Sequence, residues 1–504
     1  MLKREGATQA FEPGMKCMLV VLIGAMLVAI VYTFSGGING NDFWWHIKIG
    51  EWIVEHGEVP HSDIFSWYRW VEQIPWTAHE WLSDVLFYQI YITLGQGGIF
   101  VFSLTAALLL TMLLFRDAWE HVKRNVLIGG IYFALMAVTT SIFFYGRPHV
   151  FSYFLVYVQL KILYKFRANP KSPGIFFLPI LTCLWSDLHG GSSCLSYILC
   201  LIFLVSGVMN IQLGTIHSKR MEKKSLVVLS VVTVCTVGGI LVNPVGMEVL
   251  LYPFKNMGDQ LQMTLISEWR APDAKVMGEL ILFFLPGALM LFGLVSHRDS
   301  IEVVDLAVMG LFCFLFFRSV RFVMFWYIAA VFCAMPYMPP CKVKPIPWKR
   351  EKFAIVSSLV LLAIPLSIGI KGTWETWNQG QLIEVVLSQE AVEAVKSQKP
   401  QRLFNDYNLG EALIYHDIPV FFDARADLYV DNGLLADGAS LMFLEKANGR
   451  RNGAYVDADE LVEEYGFDGI LILKSRPLFA YLMEKQEQYP LVYQDQQVAY
   501  FKVL

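Results

Sequence analysis

The chain is dominated by a recurring series of apolar runs, each close to the length that crosses a bilayer. A membrane-spanning helix takes about 20 predominantly apolar residues, because the hydrocarbon core is ~30 Å thick and a helix rises ~1.5 Å per residue. Such runs lie near 15–35, 97–116, 125–144, 149–165, 174–189, 192–210, 225–243, 277–296, 302–317, 322–338 and 354–370. They predict an α-helical polytopic membrane protein with about eleven spans. Only 17% of the 504 residues are charged and 55% are hydrophobic, whereas a soluble domain carries about 25% charged residues. The first run is long enough to span and leads into a polar loop with no small-residue cleavage pattern, so it reads as an anchor. The segment 81–95 (WLSDVLFYQIYITLG) is apolar but short and carries Asp84, which predicts a helix lying at the interface.

Lys and Arg in short loops set orientation. With the N-terminus (Lys3, Arg4, Lys16) in the cytoplasm, alternate loops are basic in turn. They hold Arg116, Lys123 and Arg124; Lys165, Arg167 and Lys171; Lys219, Arg220, Lys223 and Lys224; Arg298; and Lys342, Lys344, Lys349, Arg350 and Lys352. An odd number of spans places the C-terminal region outside the cytoplasm. The expected division is a transmembrane domain over 1–371, with a first outer loop at 36–96, and an extracytoplasmic domain over 372–504. All eight cysteines fall in spans or inner loops, which predicts neither a disulfide framework nor a cysteine metal site. A net charge of −4 offers no basic footprint for nucleic acid.

The polar residues with chemical potential gather in the outer segments. In the first loop, Trp44, Trp45, Trp52, Trp67, Trp70, Trp76 and Trp81 suggest a segment lying at headgroup level. After Asp42, WWHIKIGEWIVEHG has helical spacing, with Trp45, Ile49, Trp52 and Ile53 on one stripe, a C-cap at Gly57 and a stop at Pro60. Asp42 and His46 share a face of that helix. Asp42 reads either as a helix N-cap or as a functional carboxylate at the membrane surface, and His46, Asp63, His79 and Glu80 add acid–base capacity. Further along stand Arg147 and His149, then Asp187 and His189 followed by two glycines, then Asn243, Glu268, Arg318 and Arg321. Ionisable groups at membrane depth are costly and mark sites by default. Arg318 and Arg321 suit phosphate recognition through the planar guanidinium, or alternatively snorkel to headgroups.

The segment NDFWWHIKIGEWIVEHGEVP (41–60), opening an outer loop after the first span, resembles the corresponding loop of oligosaccharyltransferase catalytic subunits. LWSDLHGG, NPVGMEVLLYPF, LISEWRAPD and the Arg318/Arg321 pair resemble uncharacterised bacterial members of the same GT-C superfamily of polytopic glycosyltransferases. The resemblance covers roughly residues 15–340 and the layout of an outer C-terminal domain. It implies sugar transfer, with inversion, from a polyprenyl-phosphate carrier to a glycan, lipid or protein acceptor at the outer face of the cell membrane. It further implies Asp42 as general base or metal holder, assisted by His46, His79 and Glu80. Arg147, His149, Asp187, His189, Glu268, Arg318 and Arg321 would contact the substrate and its phosphate, and Mg²⁺ or Mn²⁺ could sit at Asp42. No second acid adjoins Asp42, and the Trp-Trp-Asp motif of oligosaccharyltransferases is missing, so protein N-glycosylation is not implied.

From about 385 onward RLFND, VFFDA, GILILK, LVYQD and VAYFKV read as strands. Helices are expected over 388–397, 408–415, 434–447, 457–466 and 476–486, giving a small α/β domain. Asp423 and Arg425 read as a turn and ion pair, or as groups facing the membrane site. Two other function classes stay open: a flippase or transporter of lipid-linked glycans, which calls for broken helices, and a non-catalytic envelope assembly factor.

Overall fold

A computed structural model of the chain describes residues 15–38, 42–256, 260–266, 268–297, 300–341, 348–380, 382–383, 386–445 and 457–504. Lys3, Arg4, Arg298, Lys342 and Lys344 of the basic loops, and the end of the expected 434–447 helix, lie outside the described residues. The chain folds as two compact units, each assembled from separated stretches. One comprises Met1–Ile38, Gln96–Gly246 and Glu268–Leu382; the other comprises Asn39–Gly95, Met247–Ser267 and Ile383–Leu504.

The first unit is mostly helical, and each apolar run predicted to span falls at least in part on helix. Among the described residues six helices are long and apolar enough to cross a membrane: Cys17–Phe34, Trp81–Arg124, Val126–Phe143, Lys223–Ile240, Met277–Ser296 and Lys352–Gln379. Pro173–Ser193 and Leu195–Val208, bent by 89° at their junction, would add a seventh if they form one span. The count is thus below the expected eleven, for identifiable reasons. Val303–Arg318 has 16 residues and Val323–Cys333 has 11, each short of the ~20 residues of a straight spanning helix. His149–Ala168 has the length, but Gln159, Lys161, Lys165 and Arg167 dilute its apolar character. The 348–379 helix exposes Phe353, Val360, Leu361, Ile364 and Trp374. Leaving such area in water costs about 25 cal/mol per Å², and acyl chains remove that cost. A three-stranded sheet also belongs to this unit: the hairpin β1 (Ile211–Leu213) and β2 (Ile216–Ser218), with β3 (Ile301–Glu302) parallel to β2.

The 44-residue stretch Trp81–Arg124 is broken at Gly95, whose φ of 61° and ψ of −159° are closed to side-chain-bearing residues. The break falls where the interfacial segment was expected to end, and 81–95 belongs to the second unit.

The second unit is built on a four-stranded sheet in the order β4 (Leu403–Asn405), β5 (Gly469–Leu473), β7 (Val498–Lys502), β6 (Leu491–Gln494). β4 and β5 run parallel, and β5–β7 and β7–β6 are antiparallel. Helices Gln389–Gln398, Gly410–Tyr415, Leu434–Phe443, Ala458–Tyr465 and Pro477–Glu484 fall where helices were predicted. VFFDA is not a strand of this sheet. The Asn405 side chain satisfies its backbone instead, accepting from Phe421 N–H at 2.8 Å and donating to Phe422 C=O at 2.9 Å. Val420 makes an isolated parallel bridge to Ser66.

That bridge is part of a broader join, because the 39–95 segment and the C-terminal residues share one core. Trp67 donates its indole N–H to Leu403 C=O at 2.9 Å. The tryptophans of this loop are core residues more than headgroup anchors. Trp44, Trp45, Trp67 and Trp76 are buried, Trp52 and Trp81 are half-buried, and Trp70 is exposed. The headgroup-level expectation missed this because indole is favoured in both settings, with a large apolar area and one donor to satisfy.

Candidate functional site

The helix Phe43–His56 organises the second unit's polar groups. It ends on Gly57 in the left-handed region (φ 71°), donating to Ile53 C=O, as its sequence predicted. Asp42 stands at its N-cap position, but its carboxylate makes no capping hydrogen bond. The charge of Asp42 acts instead on Glu411 and Tyr407.

Glu411 lies on the short helix Gly410–Tyr415 and is 1% exposed. One of its carboxyl oxygens accepts from Ala424 N–H at 2.7 Å. The other, Oε2, is buried with no hydrogen-bond partner. Burial, with the neighbouring charges of Asp42 and Asp423, pushes the Glu411 carboxyl well above the ordinary carboxylate range. Next to it, Arg425 is clamped between two acids. Its Nε and Nη2 donate to Asp423 at 2.8 and 2.7 Å, and Nη2 also donates to Asp63 at 2.9 Å. The Tyr429 hydroxyl adds a bond to Asp423 at 2.6 Å. Trp76 and Phe65 lie 4.8 and 5.0 Å from the guanidinium carbon. Burial raises Asp63, but Arg425, the Ser66 hydroxyl and the Phe65 amide outweigh it and hold the carboxyl below its usual range. This is the turn and ion pair predicted at Asp423 and Arg425, extended by an acid 362 residues distant in the chain. It ties Asp63 of the first loop to the C-terminal residues of the same unit.

One turn along the helix, His46 is 2% exposed and its Nδ1 lies 2.6 Å from Asp84 Oδ1. Glu80 stands between two imidazoles, 4.0 Å from His46 Nε2 and 3.6 Å from His79 Nε2. His79 Nδ1 lies 3.0 Å from Thr77 C=O, an acceptor that calls for a proton on that nitrogen, and Nε2 faces Glu80. The His79 ring lies 3.9 Å from that of Tyr252. Three of the four predicted catalytic residues thus come together, His46 and His79 around Glu80, with Asp84 against His46, while the charge of Asp42 acts on Glu411. The predicted shared face of Asp42 and His46 divides into two neighbouring acid–base groups of one unit.

The remaining predicted site residues lie in the first unit. Arg147 Nη1 donates to both oxygens of Glu268, at 2.7 and 2.9 Å. Backbone bonds from Arg321 N–H to Glu268 C=O (3.2 Å) and from Val320 N–H to Arg270 C=O (3.0 Å) lay the 268–270 segment beside 319–321. Arg321 stacks over Trp269 at 5.6 Å. Burial raises the Glu268 carboxyl, but Arg147, Arg321 and His149 together hold it below the usual range. His149 is buried, with Nε2 2.8 Å from Phe143 C=O and a bare Nδ1. Arg318 is exposed at the end of its helix, and it is Arg321 whose charge bears on Glu268.

Asp187 and His189 lie together on the kinked helix Leu178–Ser193. Asp187 accepts from Asn243 at 3.0 Å. His189 is a non-helical residue (φ −159°, ψ 75°) inside Leu178–Ser193, at the kink of that helix. Its Nδ1 lies 2.6 Å from Ser152 Oγ and 2.7 Å from Ser192 Oγ, and Trp185 N–H donates to Ser152 Oγ at 2.7 Å. That nitrogen is engaged in a buried polar node joining two helices.

Glu411, Asp84 and Tyr252 were not predicted as site residues. Asp84 did carry a signal, a lone charge in an apolar segment. Glu411 carried none, since a glutamate in a short helix is ordinarily solvated. Mg²⁺ commonly takes one or two carboxylates, with water and substrate phosphate completing its shell; among the described residues no three His, Cys, Asp or Glu side chains are grouped to hold an ion by themselves. No protein-family model matches the chain, and no curated protein does.

Proposed function

We propose that the chain is an inverting membrane glycosyltransferase of GT-C type, moving a sugar from a polyprenyl-phosphate carrier to an acceptor hydroxyl at the outer face of the cell membrane. The observation that carries this reading is Asp42: a carboxylate at a helix start that does not cap the helix, beside a buried carboxyl with a bare oxygen. The acceptor oxygen attacks the anomeric carbon and its proton passes to the Asp42 carboxylate. The bond from the anomeric carbon to the phosphate oxygen breaks, and its electron pair leaves on the polyprenyl phosphate. His46, Glu80 and His79 supply a second acid–base group able to orient acceptor hydroxyls. By charge, Arg147 and Arg321 are the phosphate candidates of the first unit. No step is routed through a metal. The eleven-span arrangement with a cytoplasmic N-terminus is part of the same reading.

A transporter of lipid-linked glycans is the second reading, favoured by the 89° break between Pro173–Ser193 and Leu195–Val208. One experiment separates the two. Purified protein in proteoliposomes is given polyprenyl-phosphate sugars, and both sugar transfer and transbilayer movement of the donor are followed. Loss of general base catalysis should slow transfer by about 10²–10⁴-fold in Asp42→Asn, with donor binding retained, while Arg321→Ala should weaken donor binding. Full transfer activity in Asp42→Asn would falsify the role given to that carboxylate, and movement without transfer would establish the second reading.

A further inference from the structure

The helix Met247–Asn256 (MEVLLYPFKN) has two apolar faces, of which the second unit covers only one. On the covered face Val249 is fully buried and Pro253 is buried. The Tyr252 ring lies against that of His79 there, tilted by 34°. Glu248 accepts from Thr77 at 3.1 Å and Lys255 pairs with Asp431 at 2.6 Å, flanking the helix with polar contacts. On the opposite face Met247, Leu251 and Phe254 are 55%, 59% and 57% exposed. Their spacing of i, i+4, i+7 aligns them in one stripe.

The chain's path restricts what can cover that stripe. Lys223–Ile240 is one of the helices able to cross a membrane. After it the chain folds at once into turns, with Asn243 N–H donating to Ile240 C=O at 3.2 Å and Gly246 N–H to Asn243 C=O at 2.8 Å. The helix begins at the next residue, so it starts close to the end of a span. Exposed apolar side chains run without interruption of character from Val231 and Val234 through Val242 to Met247. Downstream, the chain enters another membrane-length helix at Met277.

We propose that the Met247–Asn256 helix lies in the headgroup–acyl boundary of the bilayer, with Met247, Leu251 and Phe254 turned to lipid. An apolar stripe edged by charged residues is the surface that seats a helix in that plane. The opposite face, through Tyr252, then covers the His79 imidazole, so this acid–base group stands directly behind a lipid-facing wall. The inference does not depend on the reaction proposed above.

The test uses the full chain in nanodiscs of phosphatidylethanolamine and phosphatidylglycerol. The photoreactive residue p-benzoylphenylalanine is placed singly at Leu251, Phe254, Glu248 and Lys255, and adducts are identified by mass spectrometry after irradiation. Lipid adducts several-fold more abundant at 251 and 254 than at 248 and 255 are expected. Equal yields at all four positions would overturn the proposal, as would cross-links from 251 and 254 to a second copy of the chain. Two independent reporters on the stripe guard against one substitution disturbing the fold.

Discussion

Glu411 has one carboxyl oxygen held by Ala424 N–H and one without a partner, in a setting where Asp42 and Asp423 oppose its ionisation. An ionised carboxylate there would be both desolvated and repelled, so the folded protein keeps the proton. The linkage then has a definite sign. The unfolded chain loses the Glu411 proton as pH rises past its ordinary value of 4.5, while the folded chain retains it. Over that window the unfolded state binds fewer protons, and stability falls with rising pH until the folded carboxyl itself ionises. Glutamine matches the shape of the neutral acid and has no such titration. Glu411→Gln should therefore melt no lower than wild type at neutral pH, with an advantage that widens from mildly acidic to mildly alkaline conditions. Thermal denaturation across that range checks it, and parallel pH profiles for the two proteins would show that Glu411 is ionised in the fold. Nothing in the local sequence announces this residue, since its surroundings come from Asp42, Asp423 and Tyr407, which are remote in the chain or on other elements.

Helices Phe43–His56 and 81–95 approach each other at Gly50. A Cβ at this position would overlap the Asp84 carbonyl oxygen and stand 2.6 Å from Tyr88 Cβ. That closeness places Asp84 against His46 at 2.6 Å. Gly50→Ala must push the two helices apart, at a cost of about 1–3 kcal/mol by the usual overpacking range. A lowered melting temperature and faster proteolysis within 43–95 are the expected readouts, and an unchanged melting curve would mean the helices are free to separate. At this scale the sequence was informative: the helical stripe, Gly57 as cap and the helices of the C-terminal region all followed from periodicity and capping residues. VFFDA misled because an apolar run with β-branched and aromatic residues fits any buried extended segment. Whether such a run joins a sheet depends on which partner reaches its backbone, and here Asn405 does.

For the whole molecule, the second unit imposes a parity rule. Its three stretches, Asn39–Gly95, Met247–Ser267 and Ile383–Leu504, build one compact body, so they lie on the same side of any bilayer the chain spans. The crossings between Gly95 and Met247 must then be even in number, and likewise those between Ser267 and Ile383. The second interval holds two qualifying helices, Met277–Ser296 and Lys352–Gln379. The first holds three, which is odd, and the bent pair Pro173–Ser193 with Leu195–Val208 makes the fourth if it crosses once. The eleven-span reading satisfies the same rule, with six and four crossings. Six spans in total does not. Reporter fusions or impermeant labelling at Glu55, Lys255 and Gln486 should give one sidedness, with the N-terminus on the other. A mixed result would mean that the compact unit does not form in the membrane.

The membrane class, the positions of the helices and the identity of several polar residues were determined by sequence alone, because hydropathy and periodicity are properties of neighbouring residues. The number of crossings was not, since a helix of 11 or 16 residues and a bent pair qualify or fail only once their lengths and bends are known. Only the tertiary structure set His46 against Asp84, brought the charge of Arg321 to bear on Glu268, and engaged a His189 nitrogen in a hydroxyl node. It alone brought in Glu411. Each of these outcomes depends on distance and desolvation between residues far apart in the chain, which no local pattern encodes.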